Sequence, residues 1–173
     1  VALAMARCAV DDGITVTACT PHIYPGLYEN NRDSIMAAID SFRQVLASEN
    51  IPLRLVEGAD THLAPDLAGQ IKAGKVPTLN GSRYFLFEPP HHVEPPRIEH
   101  TVFALIAAGY VPVITHPERL TWIEENYAVF GRMVQSGAWM QITAGSLTGR
   151  FGARPQYWAE RIMDEGLCHI LAT

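Results

Sequence analysis

Ile106-Ala107-Ala108-Gly109-Tyr110-Val111-Pro112-Val113-Ile114-Thr115-His116 holds the pattern from which the fold can be read. A helical stretch ends in glycine, a short apolar run follows, and the run ends in a side chain able to do chemistry. Glycine just past a helix suits the left-handed C-cap, because it takes positive φ without a Cβ penalty. The same order recurs. Ala9 to Gly13 leads into Ile14–Thr20 and then Pro21-His22, and Gln135-Ser136-Gly137 leads into Ala138–Thr143. Asp164-Glu165-Gly166 leads into Leu167–Thr173, and Pro52–Val56 and Tyr84–Phe87, before Glu88, fit as two further strands.

Helices are expected between these runs. Ser34–Ser48 carries Ile35, Ile39, Phe42 and Leu46 on one face, and Ile98, Val102, Leu105 and Ile106 repeat that spacing. Thr121-Trp122-Ile123-Glu124 reads as a capping box. Pro155 suits the first turn of the last helix. Six short strands alternating with helices predict a parallel α/β architecture. No GxGxxG or GxxxxGK[ST] turn is present, which argues against a dinucleotide fold or a P-loop. A (β/α) barrel fits better, with its active site at the C-terminal strand ends. Six units fall short of the usual eight. The chain opens in helical pattern at Val1–Ala6 and closes on a strand at Thr173. The expectation is therefore one incomplete barrel domain over 1–173, lacking its first strand and its C-terminal end.

Composition narrows the function. The 173 residues are 48% apolar and 18% charged, enough for a real core. A net charge of −5 disfavours a nucleic-acid binder. Cys8, Cys19 and Cys168 form neither a disulfide framework nor a CxxC knuckle, which fits a reducing compartment and a cytoplasmic location. No run of 18 apolar residues exists, so no membrane insertion is expected, and no signal-peptide pattern is visible.

His22, Asp60, Glu88 and His116 stand at successive strand ends, 38, 28 and 28 residues apart. On a barrel they would converge on one mouth. Two imidazoles and two carboxylates suit Mn²⁺, Fe or Zn²⁺. Such a site generates a hydroxide nucleophile at neutral pH. Each residue alone has a plainer reading as a capping or packing group, and Glu57 competes with Asp60 for its position. Arg119 lies three residues past His116 and would fork onto a phosphate, or pair with Glu118 or Glu124. His91 and His92 read as solvated loop residues with a ligand role as the alternative, and His62 points with Asp60 only if that strand continues. His100 and His169 read as structural. Tyr24, Tyr28 and Trp122 would line an aromatic-accepting cleft or belong to the core. Gly145–Gly152, with Arg150, is a phosphate-side loop or a connector, and Arg154 follows it.

Thr20-Pro21-His22, Phe87-Glu88-Pro89, Ile114-Thr115-His116-Pro117-Glu118-Arg119 and Ile142-Thr143-Ala144-Gly145-Ser146-Leu147 together resemble the bacterial PHP-domain protein-tyrosine phosphatases of capsule and exopolysaccharide loci, the CpsB/CapC family. The resemblance runs essentially the whole length. It implies a distorted (β/α)7 barrel holding up to three metal ions, usually Mn²⁺. It implies hydrolysis of phosphotyrosine in an autokinase of polysaccharide export, by a metal-activated hydroxide. Carried over by motif, His22, Glu88 and His116 fall on ligand positions, with His116 also catalytic. Asp60 stands where the family commonly has Glu, one methylene longer. Arg119 corresponds to the catalytic arginine on the substrate phosphate. The family's N-terminal Asp-x-His-x-His and closing Asp-x-His are absent from 1–173, so this stretch alone is expected to be impaired. No Cys-x5-Arg loop is present, which separates it from cysteine-based phosphatases. The alternatives are another PHP phosphoesterase acting on a small phosphate monoester, or a non-catalytic kinase- or metal-binding barrel. Homo-oligomerisation stays open.

Overall fold

The computed structural model describes residues 1–173. In chain order, α1 (Ala2–Asp11) precedes β1 (Val16–Cys19) and β2 (His22–Ile23). Next come α2 (Arg32–Ser48), β3 (Arg54–Glu57), β4 (Asp60–His62) and α3 (Leu67–Lys72). β5 (Tyr84–Glu88), α4 (Ile98–Ala107) and β6 (Val111–Thr115) follow. The chain ends with α5 (Ile123–Gln135), β7 (Trp139–Thr143), α6 (Ala144–Leu147), α7 (Ala153–Asp164) and β8 (Ile170–Ala172). Short 3₁₀ turns sit at Leu79–Gly81 and Pro117–Arg119.

Every strand pair is parallel. Six strands form one sheet in the order β2-β4-β5-β6-β7-β8, while β1 and β3 pair separately. The helix–glycine–strand pattern explains this layout. Gly109 takes φ +93° and Gly137 φ +110°, closing α4 and α5 before β6 and β7. Both central strands, β5 and β6, are buried on both faces apart from Tyr84. Parallel strands covered by helices require such continuous apolar runs. Phe85, Phe87, Ile114, Met140 and Ile142 are fully inaccessible, as are Val102, Phe130 and Ile162 from the covering helices. No helix is long and apolar enough to cross a membrane.

The structure corrects three expectations. The run Ile14–Thr20 shortens to a strand over Val16–Cys19, and His22 opens a second short strand past Pro21, which has no N–H to give a ladder. The chain breaks there, and the Pro21 carbonyl accepts from the Asp60 amide at 3.1 Å instead. The neighbouring run starts at Arg54 rather than Pro52 and resumes after Gly58-Ala59 as β4, so eight strands replace six. Thr121 does not cap α5, whose N-cap is Trp122 without a side-chain bond. Its hydroxyl donates to the His91 carbonyl at 3.1 Å. α2 has the capping box that its sequence did not advertise: Asn31 accepts from the Ser34 amide, and the Ser34 hydroxyl accepts from the Asn31 amide.

Candidate metal centre

Parallel register turns sequence spacing into proximity. His22 lies opposite Asp60, and His62 opposite Glu88. His116 follows the last residue of β6 and takes a left-handed backbone, φ 37° and ψ 50°. That bend starts the 3₁₀ turn carrying Arg119, whose amide donates to the His116 carbonyl at 3.0 Å. The four residues expected at strand ends do meet, but only Glu88 ends its strand and His116 follows one; His22 and Asp60 open the short strands β2 and β4, level with Leu86.

Glu88 is the hub. Its Oε2 lies 3.1 Å from His22 Nδ1, and its Oε1 lies 3.2 Å from His116 Nε2. Asp60 Oδ2 stands 3.8 Å from His22 Nδ1, and Asp60 Oδ1 accepts from the Thr115 hydroxyl at 3.1 Å. Asp60, Glu88 and His116 are all buried, and His22 is half-exposed. Burial, then the neighbouring Glu88 charge, pushes the Asp60 carboxyl above its usual range. Burial pushes Glu88 the same way, but the hydrogen bond and charge of His116, with His22 and His62, carry it below the usual range. The two carboxylates repel each other, the imidazoles offset part of that repulsion, and a shared cation would relieve the rest.

Donor atoms of His22, Asp60 and Glu88 lie within 4.8 Å of one another, and so do those of Glu88, His91 and His116. His62 Nδ1 is buried without a hydrogen-bond partner, 3.8 Å from Glu88 Oε2. A cluster of nitrogen and oxygen donors around one shared carboxylate, with an orphaned ring nitrogen beside it, fits a divalent transition-metal ion.

The structure separates the remaining candidates. β4 does continue to His62, which turns it toward the site, stacked on Tyr24 at 3.8 Å and 11°. His91 is half-buried against the His116 ring, 5.3 Å between centroids, whereas His92 is exposed. Burial, then the charges of His116 and Arg119, holds the His91 imidazole below its usual range. Glu57 turns away to pair with Arg32 at 3.1 Å. Tyr24 and Tyr28 line the cleft, while Trp122 is core, stacked on Phe130 and donating to the Pro90 carbonyl at 2.8 Å. The cleft measures about 470 Å³ and is lined also by Leu27, His22, His62 and Glu88. His169 stacks on Trp139, as a structural residue would, and His100 lies exposed on α4.

Arg119 makes no ion pair. Glu118 is fully buried, and its Oε1 accepts from the Thr143 amide at 2.9 Å and the Ser146 hydroxyl at 2.8 Å. Glu124 lies 3.7 Å from Arg154, which also donates to the carbonyls of Leu120 and Thr121. The Arg119 guanidinium instead lies 4.7 Å over the Phe151 ring, and Arg150 approaches the same ring at 6.0 Å. Gly145 permits this: a Cβ there would meet Phe151 at 3.0 Å. Neither Phe151 nor the acceptor role of Glu118 is signalled by spacing.

The thiols take no part in this centre. None lines the cleft. Burial raises the Cys19 and Cys168 thiols above their usual range, while Cys8 is exposed. At neutral pH, iodoacetamide is expected to label Cys8 first and to leave divalent-metal binding unchanged. Mass spectrometry of the labelled protein alongside a metal titration checks this, and loss of metal binding in step with labelling would contradict it.

Comparisons with known proteins converge on one family. The family model described as capsular polysaccharide synthesis, CpsB/CapC, matches residues 1–173. Tyrosine-protein phosphatase YwqE of Bacillus subtilis (strain 168) is 34% identical over 169 residues, covering 98% of this chain and 66% of that protein. A putative tyrosine-protein phosphatase CapC of Staphylococcus aureus is 27% identical over 172 residues, 99% of this chain and 68% of its own. A solved structure, reported with YwqE from Bacillus subtilis and CpsB from Streptococcus pneumoniae as metal-dependent tyrosine phosphatases, superposes with a TM-score of 0.91 at 34% identity. It covers 97% of this chain and 68% of the other. The chain therefore spans about two thirds of the length of these relatives. With a family model matched from end to end, this chain belongs to the CpsB/CapC family of capsular polysaccharide synthesis proteins.

Proposed function

We propose that the chain carries the central part of a metal-dependent protein-tyrosine phosphatase, acting on a phosphotyrosine-bearing kinase of polysaccharide export in the cytoplasm. The observation that carries this reading is the convergence of His22, Asp60, Glu88 and His116 on one parallel sheet, with Arg119, which makes no ion pair, in the turn that follows His116. That placement supports a PHP-type (β/α)7 barrel with 1–173 as one incomplete unit of it, the further ligands of the family coming from chain outside this stretch. The named relatives support the reaction type.

His22, Asp60, Glu88 and His116 would hold the metal, Mn²⁺ being the ion the family resemblance implies. When bound, the ion supplies Lewis acidity and lowers the pKa of water. The chain's own residues do the rest. Glu88, kept ionised by His116 and His22, concentrates negative charge at the cluster centre. Thr115 fixes the Asp60 carboxylate by its hydroxyl. Arg119, held by Phe151 and free of any carboxylate, would fork onto the phosphoryl oxygens. Tyr24, Leu27 and Tyr28 offer an apolar wall for an aryl ring.

In the full-length protein, Arg119→Ala is expected to lower kcat/KM for a phosphotyrosine peptide by roughly 10²-fold. Arg119→Lys should restore only part, since an ammonium cannot fork. Wild-type turnover in Arg119→Ala would overturn the assignment. Equal turnover of a small aliphatic phosphate monoester would favour the small-ester reading instead.

A further inference from the structure

We propose that Glu88, His91 and His116 form a nitrogen-rich metal position, with His91 as an additional ligand, that favours Zn²⁺ or a similar borderline ion. The proposal rests on the metal-dependent reading above and adds a residue that the family resemblance does not supply. His91 lies in the loop after β5, and its sequence reads as solvated. The fold makes that loop rigid. The His91 carbonyl accepts from the Thr121 amide at 2.9 Å and from the Thr121 hydroxyl at 3.1 Å. The adjacent Pro90 carbonyl accepts from Trp122 Nε1 at 2.8 Å. Three bonds from a segment thirty residues on thus pin the backbone of the loop.

The ring is then aimed inward. It packs on the His116 ring at 5.3 Å, and its side chain makes no hydrogen bond that a ligand role would have to break. A donor atom from each of Glu88, His91 and His116 falls within one 4.8 Å cluster. Two imidazoles and one carboxylate make the donor set of catalytic zinc sites that keep an open position. The complementary cluster of His22, Asp60 and Glu88 has two carboxylates and one imidazole, a harder set better suited to Mn²⁺. Glu88 belongs to both, so the centre is built as two positions of unequal softness sharing one carboxylate.

Zn²⁺ binds most such sites more tightly than Mn²⁺, so absolute affinity is not diagnostic. The change on removing His91 is. Calorimetric titrations of the metal-free full-length protein with Zn²⁺ and with Mn²⁺ would compare wild type, His91→Ala, His91→Asp and His92→Ala. His91→Ala is expected to weaken Zn²⁺ binding on the order of 10–100-fold. Mn²⁺ affinity should change by less than about threefold, because the oxygen-rich position is left intact. His91→Asp, which returns a ligand atom, should recover part of the Zn²⁺ affinity, and His92→Ala should match wild type. Thermal unfolding of the metal-free variants should coincide, since no hydrogen bond is lost. If wild type and His91→Ala bind Zn²⁺ equally, His91 is not a ligand and the phosphatase reading stands. If wild type binds neither ion, both readings fall together. If Zn²⁺ binding depends on His91 but phosphotyrosine is not turned over, the ligand assignment holds and the phosphatase reading fails.

Discussion

Glu88→Gln is expected to abolish metal-dependent turnover, by roughly 10²-fold or more, and to strip the purified protein of most of its metal. The reason is its place in both donor clusters. Its two oxygens work in opposite directions, Oε1 toward His116 and Oε2 toward His22. A carboxamide keeps the shape but replaces one acceptor by a donor and removes the charge. The surrounding histidines hold the carboxyl below its ordinary range despite burial, which favours the charged form. Losing it also removes the repulsion that helps raise Asp60, so the remaining acid becomes easier to ionise without replacing the lost ligand. Metal analysis by mass spectrometry, beside kcat/KM on a phosphotyrosine peptide, checks both parts. Wild-type metal content together with wild-type turnover would remove Glu88 from the centre.

The largest loss of stability is expected from Glu118→Ala. Glu118 is fully buried and accepts two hydrogen bonds that join the Pro117–Arg119 turn to the end of β7 and to α6. Alanine would orphan a half-buried amide and a buried hydroxyl and leave a void, a cost of about 3 kcal/mol. For a chain of this size that lowers Tm by roughly 6–12 °C. Glu118→Gln keeps a carbonyl acceptor and should lose much less. Differential scanning calorimetry separates the two, and equal midpoints for alanine and wild type would mean that the bonds contribute nothing. Because Arg119 is the next residue, the alanine variant should also raise KM for substrate, whereas the glutamine variant should not.

Much of this molecule is legible in its sequence, for local reasons. A glycine at the end of a helix acts through its own φ, so Gly109 and Gly137 announce β6 and β7 without reference to the rest of the chain. His22, Glu88 and His116 are readable because parallel register converts repeated spacing into a shared edge. Pro21 also carried a readable sign, a missing donor, that a strand through it must break. What stays hidden is set at a distance. His91 turns inward because Trp122 and Thr121 hold its loop, and neither partner is suggested by composition. Thr121 itself shows how a local motif loses to a tertiary one: its hydroxyl donates to the His91 carbonyl and accepts nothing from the helix amides. Arg119 depends on Phe151, and their meeting depends on a methyl group that Gly145 lacks.

The left-handed backbone at His116 has a consequence for anyone seeking a hardier version of this protein. A β-carbon in that conformation costs on the order of 1 kcal/mol, which glycine would relieve. The same exchange would delete a buried imidazole hydrogen-bonded to Glu88, so glycine at this place trades a backbone gain for a lost contact. The strained backbone and the imidazole it presents to Glu88 therefore come as one unit, and an engineer cannot ease the first without giving up the second.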